Sequence, residues 1–122
     1  FMARVPEDVL VVVDEAYAEF VDAPEWASAL ALVARHPNLL VTRTFSKAYA
    51  LAGLRIGYAV AHAGLIAVLE RVRESFNVNS AGLAAAEAAL GDAGHLQWVV
   101  ARNAEQRTAL TEALRARWLR AG

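Results

Sequence analysis

The chain has 122 residues, 57% of them hydrophobic and 20% charged, with a formal net charge of -1 and no cysteine. That length holds one domain with a core and is too short for two. The balance excludes a basic nucleic-acid surface, a disulfide framework and a cysteine zinc site.

Pro6-Glu7-Asp8 reads as a turn leading into Val9–Val13, a continuous β-branched run of the kind expected for a strand buried on both faces of a parallel sheet. The run ends at Asp14-Glu15-Ala16-Tyr17. Trp26 to Arg35 reads as a helix with Leu30, Val33 and Ala34 on one face, stopped by Pro37-Asn38. Leu39–Arg43 is the next strand, so this span is a βαβ unit with parallel strands. The connection Thr44–Leu54 is short and contains no convincing helix. The strand after it, Arg55–Ala61, is therefore expected to run antiparallel to its predecessor. Gly64 ends that strand. Leu65–Glu74 reads as an amphipathic helix with Leu65, Val68, Leu69 and Val72 inward. Ser80 is the expected N-cap of a helix Ala81–Leu90 closed by Gly91. A last helix runs from about Gly94 to Leu119, with Leu110, Leu114 and Trp118 in one stripe.

His36, His62 and His95 have no metal-ligand spacing, and no metal is expected. The most apolar region, Ala48–Leu69, is interrupted by Arg55 and His62, against a membrane span. No signal peptide is expected. Phe1 precedes Met2, so the chain reads as a piece of something longer.

Of the twelve basic residues only Lys47 is a lysine. A primary amine can form a Schiff base with an aldehyde, which a guanidinium cannot. Lys47 lies just past the carboxyl end of one parallel strand and Asp14 just past that of the other. Ligands of open α/β sheets bind at that edge, so amine and carboxylate should face one crevice. Arg55 opens an otherwise apolar strand, where an unpaired charge would be costly.

The pair Val11-Val12-Val13-Asp14-Glu15-Ala16-Tyr17 and Thr44-Phe45-Ser46-Lys47-Ala48-Tyr49-Ala50-Leu51-Ala52-Gly53-Leu54-Arg55-Ile56-Gly57 resembles the fold type I pyridoxal-phosphate aminotransferases, and among them most the histidinol-phosphate aminotransferases. The resemblance continues through Phe76-Asn77-Val78-Asn79-Ser80 and the last helix. It implies a three-layer α/β/α fold with a mostly parallel sheet. Residues 1–93 would form the C-terminal half of the cofactor-binding large domain, and 94–122 the helix leading to a small domain. The implied cofactor is pyridoxal 5'-phosphate. By resemblance, Lys47 is the catalytic residue and joins the cofactor aldehyde, Asp14 pairs with the ring nitrogen, and Tyr17 contacts the ring oxygen. Thr44, Ser46 and Arg55 hold the phosphate.

The implied reaction is transamination of histidinol phosphate with 2-oxoglutarate, giving imidazole acetol phosphate and glutamate in histidine biosynthesis. The partners are small-molecule amino and keto acids and a second subunit of a cytoplasmic homodimer, with no nucleic acid or membrane. The chain alone is expected to be inactive. Aromatic aminotransferases and threonine-phosphate decarboxylase are neighbouring alternatives within the same fold. From another class, Val9–Glu15 fits the Walker B strand of a nucleotide hydrolase, but no Gly-x4-Gly-Lys-[Ser/Thr] loop occurs. A non-catalytic relative is disfavoured by Lys47, Asp14 and Arg55 occurring together.

Overall fold

The computed structural model of the protein describes residues 1–118. Val11–Asp14 forms β1, Leu39–Thr44 forms β2 and Gly57–Ala61 forms β3, in the spatial order β1-β2-β3. β1 runs parallel to β2, with Val11 beside Leu39 and Asp14 beside Thr42. β3 runs antiparallel to β2, from Leu40 opposite Ala61 to Thr44 opposite Gly57. The long connection into β2 permits a parallel return, and the short one out of it does not. Both expected orientations are therefore present.

Strand alternation places Val11, Val13, Leu39, Val41 and Val60 on one face, packed against Leu30, Leu32 and Val33. Leu39 and Val41 are fully buried there. The other face is barer: Val12 is 54% exposed. The expectation of a first strand buried on both faces is thus corrected. The strand is also shorter than Val9–Val13. The Asn38 side-chain amide donates to the carbonyls of Pro6 and Val9, and the Val9 N–H donates to Pro6, which holds residues 6–9 in a turn.

The expected helix from Trp26 begins only at Ala29, and Ala29–Arg35 is a 3-10 helix. Side chains three apart eclipse in that geometry. Ala29 with Leu32 and Leu30 with Val33 meet the sheet, while Ala34 is exposed.

Three α-helices follow: α1 is Ala63–Glu70, α2 is Ser80–Gly91 and α3 is Ala93–Trp118. α1 starts earlier than expected because the His62 Nδ1 accepts from the Gly64 N–H at 3.3 Å, placing Gly64 inside the first turn. Leu65 and Ile66 are half-buried, but Val68, Leu69 and Val72 are exposed, contrary to the inward stripe expected. Asn79, not Ser80, caps α2. Its Oδ1 accepts from the Gly82 N–H at 2.7 Å while its Nδ2 donates to the Leu54 carbonyl at 3.0 Å. A serine has no second arm with which to do both. Gly91 is the last residue of α2, and no glycine among the described residues has a positive φ.

The stripe Leu110, Leu114 and Trp118 exists, but all three are exposed. Leu119, the expected end of that helix, lies outside the described residues. α3 is tied back by an ion pair from Arg107 to Asp22. No helix among the described residues is long and apolar enough to cross a membrane.

Candidate functional site

Because β1 and β2 are parallel, their carboxyl ends reach the same edge of the sheet. Asp14 is the last residue of β1 and Thr44 the last of β2. Asp14 Oδ1 accepts from the Ala16 N–H at 3.1 Å and from the Thr42 hydroxyl at 3.2 Å. Tyr17 follows in an exposed position, and Asp14 and Tyr17 both line a cleft of about 240 Å³ together with Val13, Val21 and Trp26.

The loop after β2 is shaped by two anchors. Phe45 packs with Ile56 and Ala86 of α2, and Ala48 is fully buried. Between them Ser46 is half-buried and Lys47 is exposed. The Lys47 ammonium sits 5.3 Å from the centre of the Tyr17 ring, within cation–π range. Lys47 is thereby brought to Tyr17, which shares its cleft with Asp14, while Lys47 is not among the residues lining that cleft. The Thr44 hydroxyl accepts from the Ser46 N–H at 3.0 Å and donates to the Ile56 carbonyl at 3.5 Å, so it is engaged in holding the turn.

Ala50 and Arg55, both in this loop, have φ of 59° and 53°, in the left-handed region. Such a conformation costs an L-residue about 1–2 kcal/mol, and strained residues of this kind cluster at functional sites. At Gly57 the chain rejoins the sheet, and a Cβ there would lie 2.7 Å from the Arg43 carbonyl. Only glycine fits that approach.

Arg55 lies outside β3, in the left-handed turn just before it, and is exposed. Its Nη1 donates to the Ala52 carbonyl at 2.8 Å. The argument from a charge stranded in an apolar strand is therefore corrected: water reaches this guanidinium. What stands is an exposed arginine in the turn before β3, whose one side-chain hydrogen bond among the described residues is to Ala52.

Sequence reasoning passed over the network beneath the edge. Glu15 is buried, and its carboxylate accepts from Ser28 Oγ, the Ala29 N–H, Arg43 Nε and Arg43 Nη2, at distances from 2.6 to 3.0 Å. Burial alone would raise its pKa. The bonds from Ser28, Ala29 and Arg43, with the Arg43 charge, outweigh burial and hold the carboxyl below its ordinary value. Burial likewise works against the Arg43 charge, and Glu15 more than compensates. The signal was in the alternation. Arg43 stands in phase with Leu39 and Val41, so an arginine facing the core needed a partner. Tyr49, two residues past Lys47, has its phenol pushed up by burial first and then by the Glu19 charge. Glu15 has its oxygens so fully engaged that it is a poor candidate for the free acidic residue of a Walker B strand.

The edge thus carries the exposed Lys47 amine against the Tyr17 phenol and, in the cleft Tyr17 lines, the Asp14 carboxylate, one oxygen of which is uncommitted among the described residues. The Ser46 hydroxyl and the Arg55 guanidinium belong to the loop that leads from β2 to β3. The amine can condense with a carbonyl, the carboxylate can pair with a protonated ring nitrogen, and the last two can bind a phosphate.

The family model "Aminotransferase class I and II" matches residues 2–121. Histidinol-phosphate aminotransferase 1 of Cupriavidus pinatubonensis is 55% identical over 113 residues, which is 93% of this chain and 30% of that protein. Histidinol-phosphate aminotransferase 2 of Pseudomonas aeruginosa is 58% identical over 96 residues, 79% of this chain and 26% of that protein. The crystal structure of histidinol-phosphate aminotransferase from Sinorhizobium meliloti in complex with pyridoxal-5'-phosphate superposes with a TM-score of 0.81 at 38% identity. That match covers 87% of this chain and 28% of that one. The chain therefore spans about 30% of the length of the curated relatives it matches.

Proposed function

The chain belongs to the class I and II aminotransferase family, and we propose that it forms part of the pyridoxal-phosphate site of a longer histidinol-phosphate aminotransferase. The observation that carries the reading is Tyr17 at the sheet edge, sharing a cleft with Asp14 and holding the Lys47 amine 5.3 Å from its ring centre.

The donor set fits the cofactor. Lys47 would supply the amine that holds the cofactor aldehyde and a base for the substrate α-carbon proton. Asp14 holds a proton on the ring nitrogen through the oxygen that Thr42 and Ala16 leave open. Tyr17 donates to the ring oxygen. Arg55 and Ser46 take the phosphate, with Thr44 holding the turn that presents them. When bound, pyridoxal phosphate supplies the electron-withdrawing ring that spreads charge from the substrate α-carbon.

The amino substrate is histidinol phosphate, a reading supported by the names of relatives at 55% and 58% identity, and the acceptor is 2-oxoglutarate, which rests on the family resemblance alone. The whole enzyme acts in histidine biosynthesis as a cytoplasmic homodimer. Residues 1–93 belong to its large domain, and 94–122, which begin within α3, lead to the small one.

The test is covalent. Reducing the full-length protein with borohydride in the presence of pyridoxal phosphate, then mapping peptides, should place the pyridoxyl group on Lys47. An adduct on some other amine, or none, would sink the reading.

A further inference from the structure

The Asp14 carboxylate is held on one side only. Oδ1 receives two donors, the Ala16 N–H at 3.1 Å and the Thr42 hydroxyl at 3.2 Å, whereas Oδ2 accepts no hydrogen bond among the described residues. The Ala16 bond is local, an Asx-type turn that a strand-terminal aspartate forms readily. The Thr42 bond is of another kind. It crosses from β2 to β1 between register partners, because Asp14 pairs with Thr42 in the parallel ladder and the two side chains rise on the same face. The backbone ladder continues beside them, with the Glu15 N–H donating to the Thr42 carbonyl at 2.9 Å. Thr42 thus grips Asp14 through its side chain and the next residue through its backbone.

A carboxylate turns easily about its last torsion, since that sp³–sp² rotor is broad. One donor would leave the plane free to swing. Two donors on one oxygen, one from the turn after β1 and one from β2, fix it. The fixed state keeps Oδ2 uncommitted on a residue that lines the cleft beside Tyr17. Within this chain burial does not supply the restraint, because Asp14 is exposed.

We propose that Thr42 is a positioning residue for the transamination. Its hydroxyl fixes the plane of the Asp14 carboxylate, so that Oδ2 meets the ring nitrogen of the cofactor at one angle. This rests on the cofactor reading above. A β-branched residue suits the strand, and valine has the same shape without the hydroxyl. Thr42→Val therefore removes the grip and keeps the strand, and Thr42→Ser restores the hydroxyl in a smaller side chain.

The experiment uses the full-length protein loaded with pyridoxal phosphate labelled with ¹⁵N in the ring. Thr42→Val should move the ring-nitrogen resonance toward the unprotonated position and lower kcat by about three- to tenfold, the worth of one hydrogen bond. KM should stay within about twofold, because no substrate contact is touched. Thr42→Ser should return both the resonance and kcat to the wild-type values. A merely structural threonine would lower the melting temperature in both variants and leave the nitrogen resonance in place, and that result would overturn the proposal. So would a Thr42→Val protein indistinguishable from wild type. If wild-type protein bound no cofactor, the cofactor reading itself would fall and this inference with it, an outcome visible before any variant is made.

Discussion

Replacing Asp14 with asparagine should leave pyridoxal phosphate bound and cost the full-length enzyme about a hundred- to a thousandfold in kcat, the range for losing a fixed electrostatic partner of a transition state. The amide has nearly the shape of the carboxylate, and its oxygen can still accept from Ala16 and Thr42 as Oδ1 does now. What it lacks is the charge that keeps a proton on the ring nitrogen. Without that proton the ring withdraws electrons poorly, and breaking the α-carbon–hydrogen bond becomes harder. The primary isotope effect with α-deuterated amino substrate should therefore rise as kcat falls, and cofactor affinity should change far less. Near-parental turnover in Asp14→Asn would return Asp14 to the modest office of capping the turn after β1.

The second large effect concerns stability. Glu15→Ala should destabilise the full-length protein at neutral pH by about 3–5 kcal/mol, the usual consequence of breaking a buried ion pair and leaving one charge behind. The charge left behind is Arg43, whose side chain is 16% exposed and whose other acidic neighbour, Glu19, lies at 3.5 Å. Because the folded Glu15 carboxyl lies below its ordinary value of 4.5, its contribution is present above that value. It is lost as pH falls through the lowered folded value. Urea midpoints of wild type and Glu15→Ala should differ widely at pH 7 and converge as the solution is acidified from the ordinary carboxyl value of 4.5 through the lowered folded one. A gap that stayed constant with pH would mean that packing, and not the charge pair, holds the strand ends together.

The sheet and the ends of its strands were legible in the sequence because they depend on short-range pattern. Leu39 and Val41 alternate, and a connection as short as that after Thr44 cannot carry a parallel crossover. The beginnings of elements were less legible. Val9 and Leu10 have ideal strand residues, yet Asn38, far along the chain, claims the Val9 carbonyl and keeps it in a turn. Trp26 and Ala27 fit a helical pattern, but Ser28 spends its hydroxyl as donor to Glu15 and acceptor from Leu30, and the helix starts after it. At the site, Lys47 and Asp14 stood out through residue type and place. Arg55 was placed in the strand because nothing in a linear pattern announces a left-handed arginine. Thr42 was invisible for a different reason. Its importance lies in facing Asp14 across two strands, which only the register fixes.

The antiparallel return of β3 has a bearing on the order in which the site comes together. The contact that closes the Lys47 loop, Thr44 to Ile56, spans 12 residues, while the one that joins Thr42 to Asp14 spans 28. Chain-closure entropy makes the longer loop about 0.7 kcal/mol more expensive, and local pairings lead in folding. The amine-bearing loop should accordingly fold first, as a self-contained hairpin, and the carboxylate strand should dock onto it afterwards. In pulsed hydrogen exchange during refolding, the Phe45 amide, bonded to Ile56, should gain protection before the Glu15 amide, bonded to Thr42; the reverse order would make β1 and β2 the nucleus. On this view the two halves of the chemistry are made at different moments, and the pocket exists only once the slower strand has arrived.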